Sequence, residues 1–66
     1  MDIVVNGETR IAPEGQTLLE LLLSLQLEPA RVAVEFDRRI AKPSEWETLV
    51  LRSGSKLEIV QFVGGG

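Results

Sequence analysis

Helical periodicity occurs in one long stretch of this chain, and that limits the fold more than any other feature. Leu18, Leu21, Leu22 and Leu25 fall at i, i+3, i+4 and i+7, a single apolar stripe. Thr17 precedes the stripe and Glu20 follows it by three residues, the spacing of a capping box in which each side chain satisfies the other's backbone N–H. This predicts a helix over 17–26, closed by Pro29, which disfavours helical backbone at Glu28. Leu19 and Leu23 form a second stripe, expected at the periphery of the core. The remaining apolar residues come in short runs between turn residues. Ile3-Val4-Val5 and Thr9-Arg10-Ile11 flank Asn6-Gly7, a pair that accepts the positive φ of a type I′ hairpin turn. Val32 to Phe36 predicts a strand ended by Asp37-Arg38-Arg39, and Ile40-Ala41 a short one. Pro43 with Ser44-Glu45-Trp46-Glu47 predicts one helical turn, with Ser44 and Glu47 in capping-box spacing. A turn over 52–56 leads to a last strand, Leu57 to Phe62. One apolar helix stripe needs one sheet face to cover it. The economical solution is α+β: a mixed sheet of four or five strands with one main helix on one face.

Sixty-six residues make one domain, expected over 1–62, with a flexible C-terminal glycine tail over 63–66. The chain has no His and no Cys. It therefore cannot build a Ser/His or Cys/His pair, an ordinary zinc site or a disulfide. Its Ser and Thr hydroxyls have no base to activate them. Glu45 and Glu47 read as a solvated face, and Glu35 and Asp37 as turn charges beside Arg38 and Arg39. No calcium-loop spacing occurs. The expectation is a protein that is not itself an enzyme and binds no metal or cofactor. Seven Lys and Arg against ten Asp and Glu, a net charge of −3, make nucleic acid a poor partner. The N-terminus lacks the cationic start and long apolar run of a signal peptide. The apolar-rich run Leu18 to Leu27 is broken by Glu20, Ser24 and Gln26 and falls short of the roughly 20 residues that span a bilayer. We expect a cytoplasmic location and no membrane partner.

Alternation in the last strand assigns its faces. Leu57 and Ile59 point one way, Glu58, Val60 and Phe62 the other. Burying Glu58 unpaired is costly, so Leu57 and Ile59 face the helix. Val60 and Phe62 then lie on the open face, and Val4 joins them if their strands are neighbours. Such a patch reads as a docking surface, although single exposed apolar residues are ordinary. The tail Val63-Gly64-Gly65-Gly66 adds no core. Glycines lack Cβ and thread a narrow channel in any backbone conformation. Fully extended, the tail reaches roughly 13–14 Å. That suits delivery of the Gly66 carboxylate into a partner's active site, the alternative being an ordinary frayed end.

Taken together, Asn6-Gly7, Gly15-Gln16-Thr17-Leu18, Val32-Ala33-Val34 followed by Ile40, Ser44-Glu45-Trp46, the stretch Gly54 to Val60 and the ending Phe62-Val63-Gly64-Gly65-Gly66 carry a family resemblance. The whole chain resembles the ubiquitin-like β-grasp sulfur carriers, and among them the ThiS family of thiamin thiazole synthesis. The resemblance implies that an adenylating enzyme of the ubiquitin-activating type binds ATP and presents its α-phosphate to the Gly66 carboxylate. Val63, Gly64 and Gly65 would be read as the tail, and Phe62, Val60 and Val4 as the docking patch. A partner's persulfide would displace AMP, reduction would leave a thiocarboxylate on Gly66, and thiazole synthase would take the sulfur.

Three other readings share parts of this pattern. A carrier could feed another pathway, such as molybdopterin synthesis or tRNA thiolation. A ubiquitin-like modifier would use the same activated terminus, with only Lys42 and Lys56 available for chain building. A non-covalent β-grasp interaction module would not need the glycines at all.

Overall fold

The computed structural model describes residues 1–62 of the 66. The first hairpin forms where its turn chemistry places it. Asn6 and Gly7 carry φ of 50° and 82°, both positive, and join strand β1 (Asp2–Val5) to β2 (Glu8–Ile11). Helix α1 (Leu18–Ser24) opens on the expected capping box: the Thr17 side chain accepts from the Glu20 N–H, and the Thr17 N–H donates to Glu20 Oε1. Two further first-turn donors are satisfied by a distant loop, Leu18 N–H by the Leu49 carbonyl and Leu19 N–H by that of Trp46.

The helix ends at Ser24, two residues short of the expectation. Gln26 adopts a left-handed φ of 60°, its N–H donates to the Leu23 carbonyl, and the Leu27 N–H donates to that of Leu22. This is a Schellman closure with glutamine in the position usually held by glycine. Leu18, Leu21 and Leu22 are buried, and Leu19 and Leu25 pack against them, as the stripe implied. Leu23 does not join the core periphery. It is exposed, while Leu19 of the same stripe packs against the core as expected.

Strand β3 (Val32–Phe36) follows a 3₁₀ turn at Pro29–Arg31 that the sequence did not announce. Strand β4 (Arg39–Ala41) follows at once. The next turn, Pro43–Glu45, is also 3₁₀, and the Ser44–Glu47 capping box does not form. Pro43 itself starts the turn, so Ser44 lies inside it and Lys42 stands at its head without a side-chain cap. Trp46 plugs the core beneath this loop, its indole N–H donating to the Ala41 carbonyl at 2.9 Å.

Strand β5 (Lys56–Gln61) completes a five-stranded mixed sheet in the order β2-β1-β5-β3-β4. β5 runs parallel to β1 and antiparallel to β3. Ile3, Val5, Val32, Val34 and Leu57 meet the α1 leucines in one core, extended by Ala12, Ala41, Trp46 and Leu51. One helix thus covers one face of the sheet, the α+β arrangement anticipated, and the other face stays open.

Candidate functional site

β5 is the last described element, and its end lies next in sequence to Phe62 and residues 63–66. Leu57 is fully buried and Ile59 packs against the core, while Glu58, Val60 and Phe62 face outward. The alternation expected from the sequence is thus observed. Pairing with β3 continues past the last strand residue, because the Phe62 N–H donates to the Arg31 carbonyl at 2.7 Å. Val60 lies opposite Ala33, which is also exposed. Val60 is 58% and Phe62 55% exposed, so both present most of their apolar surface to solvent at the root of the tail.

Val4 does not complete this patch. β1 and β5 are indeed neighbours, but their register sets Val4 beside Lys56. Val60 is four residues further along, roughly 13 Å at strand rise, with Glu58 between. Val4 is also half-buried. Among the described residues, the apolar surface there therefore consists of Val60, Phe62 and Ala33. Sequence reasoning missed Ala33 and the Arg31 carbonyl, since both depend on the β3–β5 register and no local signal marks them.

The patch ends abruptly in charge. Glu58 lies directly opposite Glu35 across the β5–β3 pair. Like charges so placed repel, and among the described residues neither carboxylate joins an ion pair. Beyond them Arg38 and Lys56 complete the rim of a shallow depression of about 200 Å³. From the tail root inward, the open face reads apolar, acidic, then basic. Among the described residues, no group of three or more Asp or Glu is placed to hold a metal ion. No helix there is long and apolar enough to cross a membrane. The expected functional residues Val63, Gly64, Gly65 and Gly66 lie outside the described residues.

Comparison with known proteins fits this arrangement. The family model of the ThiS family matches residues 3–66. The chain is 38% identical to a thiazole synthase from Magnetococcus marinus and 39% identical to one from Paramagnetospirillum magneticum, each over 66 residues. Both alignments include all of this chain but only 20% of the relative, so the chain spans a fifth of their length. It is 27% identical to the sulfur carrier protein ThiS of Escherichia coli, with both chains covered in full. The crystal structure of the thiamine biosynthesis protein ThiS from Geobacter metallireducens superposes over all of both chains with a TM-score of 0.85 at 26% identity. The five-stranded sheet with α1 across it is the ubiquitin-like β-grasp fold, and the chain belongs to the ThiS family.

Proposed function

We propose that this chain is a sulfur carrier for thiamin thiazole synthesis, acting as a co-substrate of partner enzymes. The observation that carries the reading is a family match that runs through the whole sheet and into Val63-Gly64-Gly65-Gly66. The Gly66 carboxylate is a poor electrophile and needs activation. On an adenylating enzyme it attacks the α-phosphate of ATP, forming an acyl-adenylate and releasing pyrophosphate. The terminal sulfur of a partner's persulfide then attacks the acyl carbon, and AMP leaves. Two thiols of a reductant cleave the resulting acyl disulfide and leave as their own disulfide, giving a thiocarboxylate on Gly66 and a free thiol on the donor.

In these steps the chain itself docks and positions. Val60 and Phe62 offer the apolar contact, and the root of the tail is pinned by the Phe62–Arg31 hydrogen bond. Four residues beyond it, if fully extended, would span roughly 13–14 Å, and glycines would let the backbone pass through a narrow channel. Proximity and charge neutralisation at the α-phosphate are the enzyme's contribution. Thiazole synthase as sulfur acceptor is supported by the two relatives of that name, in which a segment like this chain makes up a fifth of the polypeptide.

Intact mass spectrometry tests the reading. The untagged chain is incubated with ATP, the activating enzyme and a persulfide donor. The expected result is a mass gain equal to one oxygen replaced by sulfur, localised to Gly66. An unchanged mass beside a partner that loads its own carrier would overturn the proposal.

A further inference from the structure

Asn6 does two jobs, and the hairpin turn explains only one. The turn asks for positive φ, which Asn, Asp and Gly all tolerate. The side-chain amide, however, is directed at β5 instead of the turn. Its Nδ2 donates to the Ile59 carbonyl at 3.2 Å, and its Oδ1 accepts the Ile59 N–H at 2.7 Å. The Asn6 backbone N–H donates to the Leu57 carbonyl at 2.8 Å. The strand register between β1 and β5 covers only Val4 with Lys56 and Val5 with Leu57. Beyond Val5 the main chain reverses into β2, so the rest of β5 has no strand on that side. A primary amide carries a donor and an acceptor, as a peptide group does. The Asn6 side chain therefore continues the ladder by one residue where the main chain cannot.

We infer that Asn6 is a positioning residue for the C-terminal segment. With it, β5 is held from both sides as far as Ile59, three residues before Phe62. On the β3 side the pairing runs on through Val60, Gln61 and the Phe62–Arg31 bond. Without Asn6, the end of β5 is held from the β3 side alone and is free to pivot about that line of bonds. The position of Phe62, the last described residue before the glycines, then spreads over a wider range. This inference rests on the proposed delivery of Gly66 into a partner's site, where small misplacements lower the rate steeply.

Asn6→Gly keeps the turn and deletes the amide. Asn6→Asp keeps the turn and one acceptor but has no donor, and it sets a carboxylate beside the Ile59 carbonyl. Two readouts separate positioning from structure. By NMR, exchange of the Ile59 amide should accelerate about tenfold in Asn6→Gly, a local opening. The Val4 amide, donated to the Ser55 carbonyl, should be unchanged. In pyrophosphate release with the activating enzyme, kcat should fall about fivefold in Asn6→Gly with KM for the carrier nearly constant, since the Val60–Phe62 surface remains held by β3. Asn6→Asp should fall between Asn6→Gly and wild type. Unchanged Ile59 exchange, or faster exchange with wild-type kcat, would overturn the inference while leaving the carrier function standing. A wild-type chain that releases no pyrophosphate beside a competent enzyme would overturn the functional reading, and the positioning role with it.

Discussion

Two hairpin turns flank the central strand, and they solve one problem with different residues. The first is Asn6-Gly7, with φ of 50° and 82°; the second is Asp37-Arg38, with φ of 47° and 70°. Both are left-handed at two successive residues. In both, the first residue reaches β5 with its side chain as well as its backbone. Asn6 engages Ile59 and Leu57, while the Asp37 N–H donates to the Lys56 carbonyl and its Oδ1 accepts the Lys56 N–H at 3.0 Å. The difference lies in the second residue. Gly7 holds its conformation freely, whereas Arg38 carries a Cβ in a region that L residues avoid. The comparison teaches that the polar residue opening each turn ties it to the middle of the sheet, and that turn propensity is secondary at the second site.

Four predictions sharpen this. The single tryptophan, Trp46, is buried and reports unfolding by fluorescence. Gly7→Val should have the largest effect, a loss of about 3 kcal/mol in urea titration. A Cβ at Gly7 meets nothing within 4 Å, so this cost is purely conformational. Asn6→Ala and Asp37→Ala should follow, costing about 2 and about 1 kcal/mol, since the first removes two side-chain hydrogen bonds and the second one. Equal losses would show that the second side-chain hydrogen bond of Asn6 adds nothing to stability. Arg38→Gly should stabilise by about 1 kcal/mol by relieving the left-handed arginine; a loss instead would assign the Arg38 side chain a structural role. The smallest stability effect belongs to Phe62→Asp, which touches neither turn. It should change stability by less than about 0.5 kcal/mol, yet raise KM for the activating enzyme about tenfold through the lost apolar contact. A large fall in Tm would place Phe62 in the packing of the fold and remove it from the docking surface.

The same contrast explains which features could be read from the residues. Asn-Gly between β-branched runs, Thr17 with Glu20, and the alternation of Leu57 to Phe62 are local rules, and each survived intact. The orientation of Val60 and Phe62 followed from that alternation alone. The second turn escaped notice as a left-handed pair because Asp-Arg carries no such signal. The helix end escaped because glutamine closes it, and the Ser44–Glu47 box failed because Pro43 had already started the turn. Val4 was grouped with Val60 because strand adjacency can be guessed while register cannot.

The amino-acid sequence by itself determined one helix, its start, the first hairpin, the two faces of the last strand and the family. The family rests on motifs spread along the whole chain; the others depend on interactions within about four residues, where steric and hydrogen-bond rules are nearly independent of the rest of the chain. Only the tertiary structure decided that β5 lies between β1 and β3, that Ala33 rather than Val4 neighbours Val60, and that Asn6 reaches Ile59 across 53 residues of sequence. Those pairings are set when β1, β3, β4 and β5 together bury one face with the α1 leucines, β2 staying exposed at the edge, and no local pattern encodes that shared register.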